Sequence, residues 1–273
     1  MKNLSIVFVF IGLLLSSCEE NMPVIPPLGP QTIGDRKVVI EEFTGVRCVQ
    51  CPAGSAEIEN LLVRFPNNLI AVSLHASSDF SEPYSNNKYD FRTPEGFNIA
   101  RNIFLIEPLA FPSAAINREP NSFGYFFYGR DEWAGLIEDE LNESVQASVN
   151  LEKEYDEASR LLKVKVRIVP LRNFAENVRL TVLITESGIV DAQIVPGAGI
   201  VTDYVHKHVF RKTITPFDGE NLGALPNGIT IEKNYELAIP ETWNAANCDV
   251  IAFVHLSGGS KEILQADQAH LLD

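Results

Sequence analysis

The chain has little positive charge and few cysteines. Its 273 residues include 22 Lys and Arg against 36 Asp and Glu, which gives a formal net charge of −14. Nucleic-acid binding requires clustered basic side chains that neutralise phosphates, so this balance excludes a nucleic-acid partner. Only four cysteines are present, and no second CxxC follows the first. A zinc site would need two further ligands from distant histidines, and we predict no metal and no cofactor.

Long apolar runs are also scarce, and the one that stands out opens the chain. The stretch "MKNLSIVFVFIGLLL" carries Lys2 and then an apolar run too short for a convincing membrane-spanning helix. This pattern is typical of an export signal. The following "LSSC" resembles a lipobox, in which the cysteine is lipidated and the chain is cleaved just before it. We therefore predict a lipoprotein signal peptide over residues 1–17, a lipid anchor at Cys18 and a Pro-rich tether over residues 18–35.

The CxxC pair lies in "VVIEEFTGVRCVQCPAG", residues 38–54. A strand-like run precedes the cysteines, and its alternation places the two consecutive acids on opposite faces, so one of them must point inward. After the pair, apolar residues follow at helical spacing: Ile58, Leu61, Leu62 and Phe65. Cys48 and Cys51 are therefore predicted at a helix N-terminus, where the helix dipole favours thiolate over thiol. Arg47 adds a cation beside Cys48.

The order of strand, CxxC and helix resembles the thioredoxin fold. The resemblance implies that Cys48 is the exposed nucleophile and Cys51 the buried resolving thiol. It also implies that Glu42, six positions before Cys48, is the inward acid that takes the proton of Cys51. A cis-proline should open a later strand. "LAFPSAAINR" offers Pro112, with the backbone of Phe111 free to pair with an extended substrate, and a trans loop proline is the alternative.

Some positions depart from the thioredoxin pattern. Arg47 stands where that family commonly has Trp, and the dipeptide between the cysteines is Val49-Gln50, so the direction of electron flow stays open. The segment "SSDFSEPYSNNKYDFRT", residues 77–93, is longer than the usual connection. We predict that it forms a lid or rim near the site.

The pattern changes near residue 144. We predict an α/β thioredoxin-like domain over residues 36–144 and an all-β, immunoglobulin-like sandwich over residues 145–273, because seven short alternating runs follow one another there. One of these runs, "DYVHKHVFR", would place His206 and His208 on one strand face with two aromatic residues. Without a third ligand it is predicted to be a hydrogen-bonding strand face rather than a metal site. Cys248 is predicted to be a buried, small apolar residue.

The succession of lipobox, Pro-rich tether, "EEFTGVRCVQCPAG", "FPSAAINR" and a late sandwich resembles the outer-membrane protein 28 related lipoproteins of Gram-negative bacteria. This resemblance spans nearly the whole mature chain. It implies a lipoprotein attached to the outer membrane, on the periplasmic face or at the cell surface. It also implies a thioredoxin-like domain followed by a β-sandwich.

Two functions stay open at the level of the sequence. In the first, the protein exchanges thiols and disulfides with extracytoplasmic client proteins and an unknown redox partner. This hypothesis is favoured by the cation at Arg47, by the position of the cysteines at the start of a helix and by an inward Glu42. In the second, it is a non-catalytic surface binding or adhesion lipoprotein, in which Cys48 and Cys51 form a structural disulfide. The oxidising compartment and the lack of an evident reducing partner favour that alternative.

Overall fold

The structure is a computed structural model that describes residues 36–105, 108 and 110–272. The predicted signal peptide, the lipidation site Cys18 and the tether lie outside the described residues. Across the described ranges, no helix has both the length and the apolar character that crossing a membrane requires.

The chain is mostly β, and its helices are concentrated in the first half. The strands are β1 (Val38–Phe43), β2 (Leu69–Leu74), β3 (Ser113–Ile116), β4 (Ala147–Asp156), β5 (Leu161–Pro170), β6 (Phe174–Glu186), β7 (Ile189–Val195), β8 (Gly199–His206), β9 (Val209–Thr213), β10 (Glu220–Leu225), β11 (Ile231–Ala238), β12 (Cys248–Leu256) and β13 (Ile263–His270). The helices are α1 (Cys51–Arg64), α2 (Pro94–Asn98) and α3 (Trp133–Asn142), and α2 runs on into a π-helical turn, Ile99–Ile103.

One mixed sheet of eight strands connects both halves of the chain. Its order is β13-β12-β6-β9-β2-β1-β3, with β10 beside β6. Strand β1 lies parallel to β2 and antiparallel to β3. The two halves of the sheet meet where Ser73 of β2 pairs with Val209 of β9. The sheet therefore crosses the boundary expected at residue 144, and the division into two domains stays a prediction.

Helices cover both faces of the β1–β2–β3 end of this sheet. On one face, Val38 and Ile40 of β1 pack against Ile58 and Leu61 of α1 and against Trp133 of α3. This contact follows from the sequence, because the apolar residues of α1 recur at helical spacing on one side. The opposite face packs against the π-helical turn, and its apolar cluster extends along the same sheet to β6 and β12. This cluster includes Val39, Phe43, Ile99, Ile103, Leu183 and Phe253.

A second, smaller sheet of order β11-β5-β4 packs against the other end of the large sheet. The core between them contains Val164 and Val166 of β5, Val182 of β6 and Val250 of β12, all buried. Two sheets thus enclose an apolar core in the second half, which is the sandwich arrangement expected there. Strands β7 and β8 stand apart as a two-stranded hairpin.

The second half differs in detail from the sequence-based expectation. Instead of seven strands, it contains the ten strands from β4 to β13. The run around the two histidines is divided, because His208 adopts a φ of 53° in the left-handed region, and the chain turns there. His206 ends β8, and β9 begins at Val209. The prediction that the alternate residues Tyr204, His206, His208 and Phe210 share one strand face is therefore wrong.

Candidate functional site

Cys48 and Cys51 form a disulfide with an S–S distance of 2.09 Å. Cys51 is the first residue of α1, and Pro52 lies in the first helical turn, where its missing N–H is not needed. The amide of Cys48 donates to the carbonyl of Gly45 at 3.1 Å, so a tight turn carries the first cysteine. The predicted position of the pair at a helix N-terminus is confirmed. The two residues are only 2% and 1% exposed, so Cys51 is buried as expected, whereas the expected exposure of Cys48 is wrong for the disulfide form.

Glu42 is the acid on the α1 side of strand β1, and it is completely buried. Its Oε2 accepts a hydrogen bond of 2.9 Å from the hydroxyl of Ser73, its register partner on β2. Its Oε1 has no hydrogen-bond partner among the residues that the structure describes. Burial raises the pKa of Glu42 to about 7, while the bond from Ser73 acts in the opposite direction. This carboxyl therefore changes its protonation state near neutral pH.

Gly54 is the point at which the helix, the acid and the proline meet. A Cβ at Gly54 would lie 2.8 Å from Cβ and Cγ of Pro112 and 2.9 Å from Oε1 of Glu42. Only a glycine allows this approach. The Phe111–Pro112 peptide bond is cis, as predicted. Sequence reasoning missed Gly54, although a glycine three positions after Cys51 inside a helical pattern is a signal of close packing.

The neighbouring acid, Glu41, is buried as well, on the opposite face of β1. The guanidinium of Arg118 bonds both of its carboxylate oxygens, at 2.6 and 2.7 Å, and both side chains are 1% exposed. The two acids lie on opposite faces, as the alternation predicts, and the structure buries both of them rather than one. The reason is that both faces of the sheet are covered here, so that each acid needs its own buried partner.

The segment 77–93 lies beside the cysteine turn. The amide of Arg47 donates to the carbonyl of Phe80 at 2.9 Å. The guanidinium of Arg47 donates to the Glu82 carbonyl at 2.7 Å, forms an ion pair with the Glu82 carboxylate at 2.9 Å and lies over the ring of Tyr84. Arg47 therefore fastens this segment to the turn before Cys48. Whether its charge also favours a Cys48 thiolate stays a prediction.

The β7–β8 hairpin covers the cysteine turn from the second half of the chain. The Nε2 of Gln193 donates to the carbonyls of Gly45 and Cys48 at 3.3 and 3.2 Å. The amide of Ile194 donates to the carbonyl of Val46 at 3.0 Å. These contacts explain why the disulfide is so little exposed. Sequence reasoning missed them, because they join segments about 145 residues apart.

A strip of apolar side chains remains accessible beside the disulfide. Val49 and Phe80 are exposed, and the half-buried ring of Phe111 lies 4.9 Å from that of Phe80. Within the described part of the chain, neither the amide nor the carbonyl of Phe111 takes part in a backbone hydrogen bond. The strip thus combines apolar surface with backbone groups that no described residue pairs.

Cys248 is separate from this site. It is buried and unbonded to another cysteine, as predicted, and its thiol donates to the carbonyl of Asn244 at 3.3 Å. Burial raises its pKa to about 12, so it is a poor nucleophile. The described ranges contain no group of three or more His, Cys, Asp or Glu residues arranged to hold a metal ion.

Residues 105–272 match the protein family described as outer membrane protein Omp28. This match covers more than half of the chain. The chain belongs to the Omp28 family. The family resemblance predicted from the sequence and the predicted outer-membrane location are both confirmed. No curated protein matches the sequence.

Solved structures with the same overall fold include HBP35 of Porphyromonas gingivalis. It superposes with a TM-score of 0.64 at 18% identity, covering 88% of this chain and 76% of HBP35. Protein AGR_C_4864 from Agrobacterium tumefaciens gives a TM-score of 0.50 at 12% identity, covering 87% and 95% of the two chains. A domain of the outer membrane lipoprotein Omp28 from Porphyromonas gingivalis covers 46% of this chain at 18% identity, with a TM-score of 0.32.

The Omp28 match includes Pro112 but begins after the cysteine pair and Glu42. Membership in the Omp28 family therefore establishes the outer-membrane location of this protein and does not bear on the chemistry of Cys48 and Cys51. At 18% and 12% identity, HBP35 and AGR_C_4864 bear on the fold alone.

Proposed function

We propose that this Omp28 protein exchanges thiols and disulfides with client proteins at the outer membrane. Residues 36–144 would act as a thioredoxin-like α/β domain with Cys48, Cys51, Glu42 and Pro112 as its site. The main support for the proposal is the close packing of Pro112 and Glu42 against α1 at Gly54. There the disulfide-bearing helix, a cis-proline and a buried carboxyl with a pKa of about 7 converge.

The chemistry proceeds in two balanced steps. The Cys48 thiolate attacks a client disulfide, so that a mixed disulfide forms and one client thiolate leaves. Cys51 then attacks the sulfur of Cys48, which closes the Cys48–Cys51 bond and releases the second client thiolate. Two electrons pass to the client, and Glu42 accepts the proton of Cys51. The reverse sequence oxidises a client dithiol, and a redox partner of the dithiol or disulfide class resets the pair.

The accessible strip supports an approach route for the client. Among the described residues the amide and carbonyl of Phe111 have no backbone partner, which suits pairing with an extended segment, and the exposed side chains of Val49 and Phe80 offer apolar contacts nearby. An extended client backbone at this edge would bring its own sulfur towards Cys48. The predicted role of Phe111 is thus to present the client rather than to react.

A second candidate function rests on the burial of the disulfide. Cys48 and Cys51 are 2% and 1% exposed, and the side chain of Gln193 bonds the turn that carries them. Such burial is expected of a structural disulfide in a non-catalytic binding or adhesion lipoprotein. In that case the bond stabilises the turn before α1 and resists reduction while the chain is folded. The two candidates therefore differ in one measurable property, the reducibility of the native protein.

The deciding experiment is a redox titration of the full chain in detergent. The protein is equilibrated in glutathione or dithiothreitol buffers, free thiols are counted, and tryptophan fluorescence reports whether the fold persists. The predicted lipid at Cys18 leaves no free thiol there, and a Cys248→Ala background removes the remaining thiol outside the pair from the count. A potential between about −270 and −120 mV with the fold intact supports exchange. A value below about −300 mV, or reduction only on unfolding, refutes it and favours the structural disulfide.

Client capture gives an independent test. Cys51→Ser leaves a mixed disulfide unresolved, so it should retain a client through Cys48 in cells. Cys48→Ser should retain nothing, although both variants lose the same disulfide. Equal, weak capture by both variants would count against exchange.

A further inference from the structure

The chain enters the described structure at the end of the sheet that lies away from the disulfide. Arg36 lies just before β1, which begins at Val38, and Cys48 lies just after β1, which ends at Phe43. A rise of about 3.3 Å per residue puts the two ends of this six-residue strand about 17 Å apart. The predicted tether over residues 18–35 therefore leads to the far end of the sheet, which we call the entry end.

Hydrogen bonds bring three turns to the entry end. The segment after β3 lies there, because the amide of Asn117 donates to the carbonyl of Val39 at 2.9 Å. The carboxylate of Glu262 lies 4.0 Å from the guanidinium of Arg36, and it accepts a hydrogen bond of 2.6 Å from the side-chain amide of Gln146. Gln146, just before β4, is therefore at the same end.

The other two turns are joined to Gln146 through the backbone. The amide of Leu171, in the β5–β6 turn, donates to the carbonyl of Gln146 at 2.9 Å. The amide of Gly228, in the β10–β11 turn, donates to the carbonyl of Pro170 at 2.8 Å. The segment after β3, the β5–β6 turn and the β10–β11 turn thus share the end at which Arg36 enters.

The most exposed apolar side chains are concentrated at this end. Among the described residues, five large apolar side chains are more than half exposed: Phe123 (84%), Leu105 (76%), Val63 (70%), Ile229 (55%) and Leu171 (51%). Three of them belong to the three turns. Val63 lies in the last turn of α1, shortly before Asn68, whose side chain donates to the carbonyl of Arg36 at 2.7 Å. The exposed side chains beside the disulfide, Val49 and Phe80, are each 42% exposed.

Phe123 projects from a turn that is fixed by hydrogen bonds. The side-chain oxygen of Asn121 accepts from the amides of Phe123 and Tyr125 at 2.9 and 3.0 Å, and the amide of Asn121 donates to the carbonyl of Tyr125 at 2.7 Å. Burial and the charge of Glu262 raise the pKa of Glu119 to about 7, so the chain is still at the entry end just before this turn. The turn therefore holds the Phe123 ring away from the core.

We propose that the entry end lies against the outer membrane, with the side chains of Phe123, Leu171 and Ile229 inserted into the lipid interface. The Omp28 family establishes the outer-membrane location, and the predicted lipid anchor at Cys18 precedes the entry end along the chain. A tether that leads to this end holds the three turns at a high local concentration near the lipid. Apolar side chains on projecting turns gain free energy when they leave water for this interface.

The contact is apolar rather than ionic, because a chain with a net charge of −14 is not drawn to an anionic lipid surface. In this orientation the disulfide lies on the side of the molecule that faces away from the bilayer. The accessible strip beside it is then open to proteins in the aqueous phase. The inference concerns orientation alone, so it does not rest on the exchange function proposed above.

Single added tryptophans test the contact in the full chain, reconstituted into phosphatidylcholine vesicles. Bromine atoms on the acyl chains quench a tryptophan that enters the bilayer, and iodide in the buffer quenches one that stays in water. The native Trp133 and Trp243 are buried, so the parent chain supplies the baseline. Phe123→Trp and Ile229→Trp probe two of the turns, and Val205→Trp is the matched control.

Val205 is 47% exposed on β8, in the hairpin that covers the cysteine turn at the opposite end. We expect brominated lipid to remove most of the added emission of Phe123→Trp and Ile229→Trp and none of that of Val205→Trp. Iodide should affect the three variants in the reverse order. The bromine quenching should persist at high salt, because salt screens ionic contacts and leaves apolar insertion in place.

Each of three results would overturn the proposal. Iodide quenching of all three added tryptophans, without bromine quenching, would place the entry end in water. Protection of Phe123→Trp and Ile229→Trp from both quenchers would mean that a protein, such as a second copy of the chain, covers this end. Equal bromine quenching of Val205→Trp would mean that the molecule has no fixed orientation on the bilayer. Should Ile229→Trp fail to fold, Leu171→Trp takes its place.

Discussion

Replacing Glu42 with glutamine isolates the electrostatic cost of the buried carboxyl. In the folded chain its pKa is about 7, against 4.5 for an ordinary glutamate, because burial disfavours the charged form. The folded state therefore keeps a proton that the unfolded chain loses at lower pH. The contribution of protonated Glu42 to stability is fully present below pH 4.5 and is lost as the pH rises through 7.

The size of this loss follows from the pKa difference. At about 1.4 kcal/mol per pKa unit, the shift from 4.5 to about 7 corresponds to roughly 3 kcal/mol of unfolding free energy. The Glu42→Gln variant has no ionisable group at this position, so it does not lose this unfolding free energy as the pH rises. We expect the variant to match the native chain near pH 4.5 and to be more stable by up to about 3 kcal/mol at pH 8.

The assay is chemical denaturation of the full chain in detergent, with the disulfide intact, at several pH values from 4.5 to 8. The difference between Glu42→Gln and the native chain cancels the titration of other groups. Glu152→Gln is the control, since Glu152 is exposed and Lys165 lowers its pKa, so its removal gives a small effect of opposite sign. A difference between Glu42→Gln and the native chain that stays constant with pH would refute the argument that Glu42 is protonated by burial.

Three further predictions concern packing, ion pairing and access. Gly54→Ala should cost about 1–3 kcal/mol of thermal stability, because its methyl group meets the cis-proline at 2.8 Å. Gly135→Ala on α3 is the control, because a Cβ there meets open space, and it should leave the stability unchanged or raise it. Equal losses of stability for the two alanine variants would contradict the steric explanation for Gly54. Arg118→Met should cost about 3–5 kcal/mol in chemical denaturation by leaving the Glu41 carboxylate unpaired. Adding Glu41→Gln to Arg118→Met should restore part of the lost unfolding free energy. A double variant no more stable than Arg118→Met would contradict the assignment of the loss to an unpaired Glu41. Gln193→Ala should speed reduction of the disulfide by dithiothreitol about fivefold, as hydrogen bonds worth about 1 kcal/mol are lost; an unchanged rate would exclude Gln193 as a cover.

The local parts of the site could be predicted from the sequence. Alternation in β1 and helical spacing in α1 depend on neighbouring residues, so the strand, the helix and the position of the cysteines follow from the pattern. The cis-proline followed from its place before a strand, and the inward orientation of Glu42 followed from parity and resemblance. Each of these features is set within a short stretch of chain.

The parts that depend on distant contacts could not be predicted. Arg118 reaches Glu41 across 77 residues, and the Gln193 bond to Cys48 spans 145. The periodicity of apolar residues in the sequence does not indicate which distant residues are in contact. The prediction of one strand face for "DYVHKHVFR" failed for a different reason. A single positive φ at His208 turns the chain, while the alternation of residue types continues through the turn.

The two consecutive acids of strand β1 also determine how that strand is aligned. Glu41 needs the guanidinium of Arg118 on one face, and Glu42 needs the hydroxyl of Ser73 on the other. A slip of one residue in one direction would bring Ile40 to the place of Glu41 and leave Arg118 buried without a charged partner. A slip in the other direction would keep a glutamate opposite Arg118 but bring Phe43 to the place of Glu42, so that Ser73 loses its acceptor. Each one-residue slip therefore breaks one of the two buried polar pairs, so that misaligned folding intermediates of this central strand are disfavoured either by an unpaired buried charge or by an unpaired buried hydroxyl.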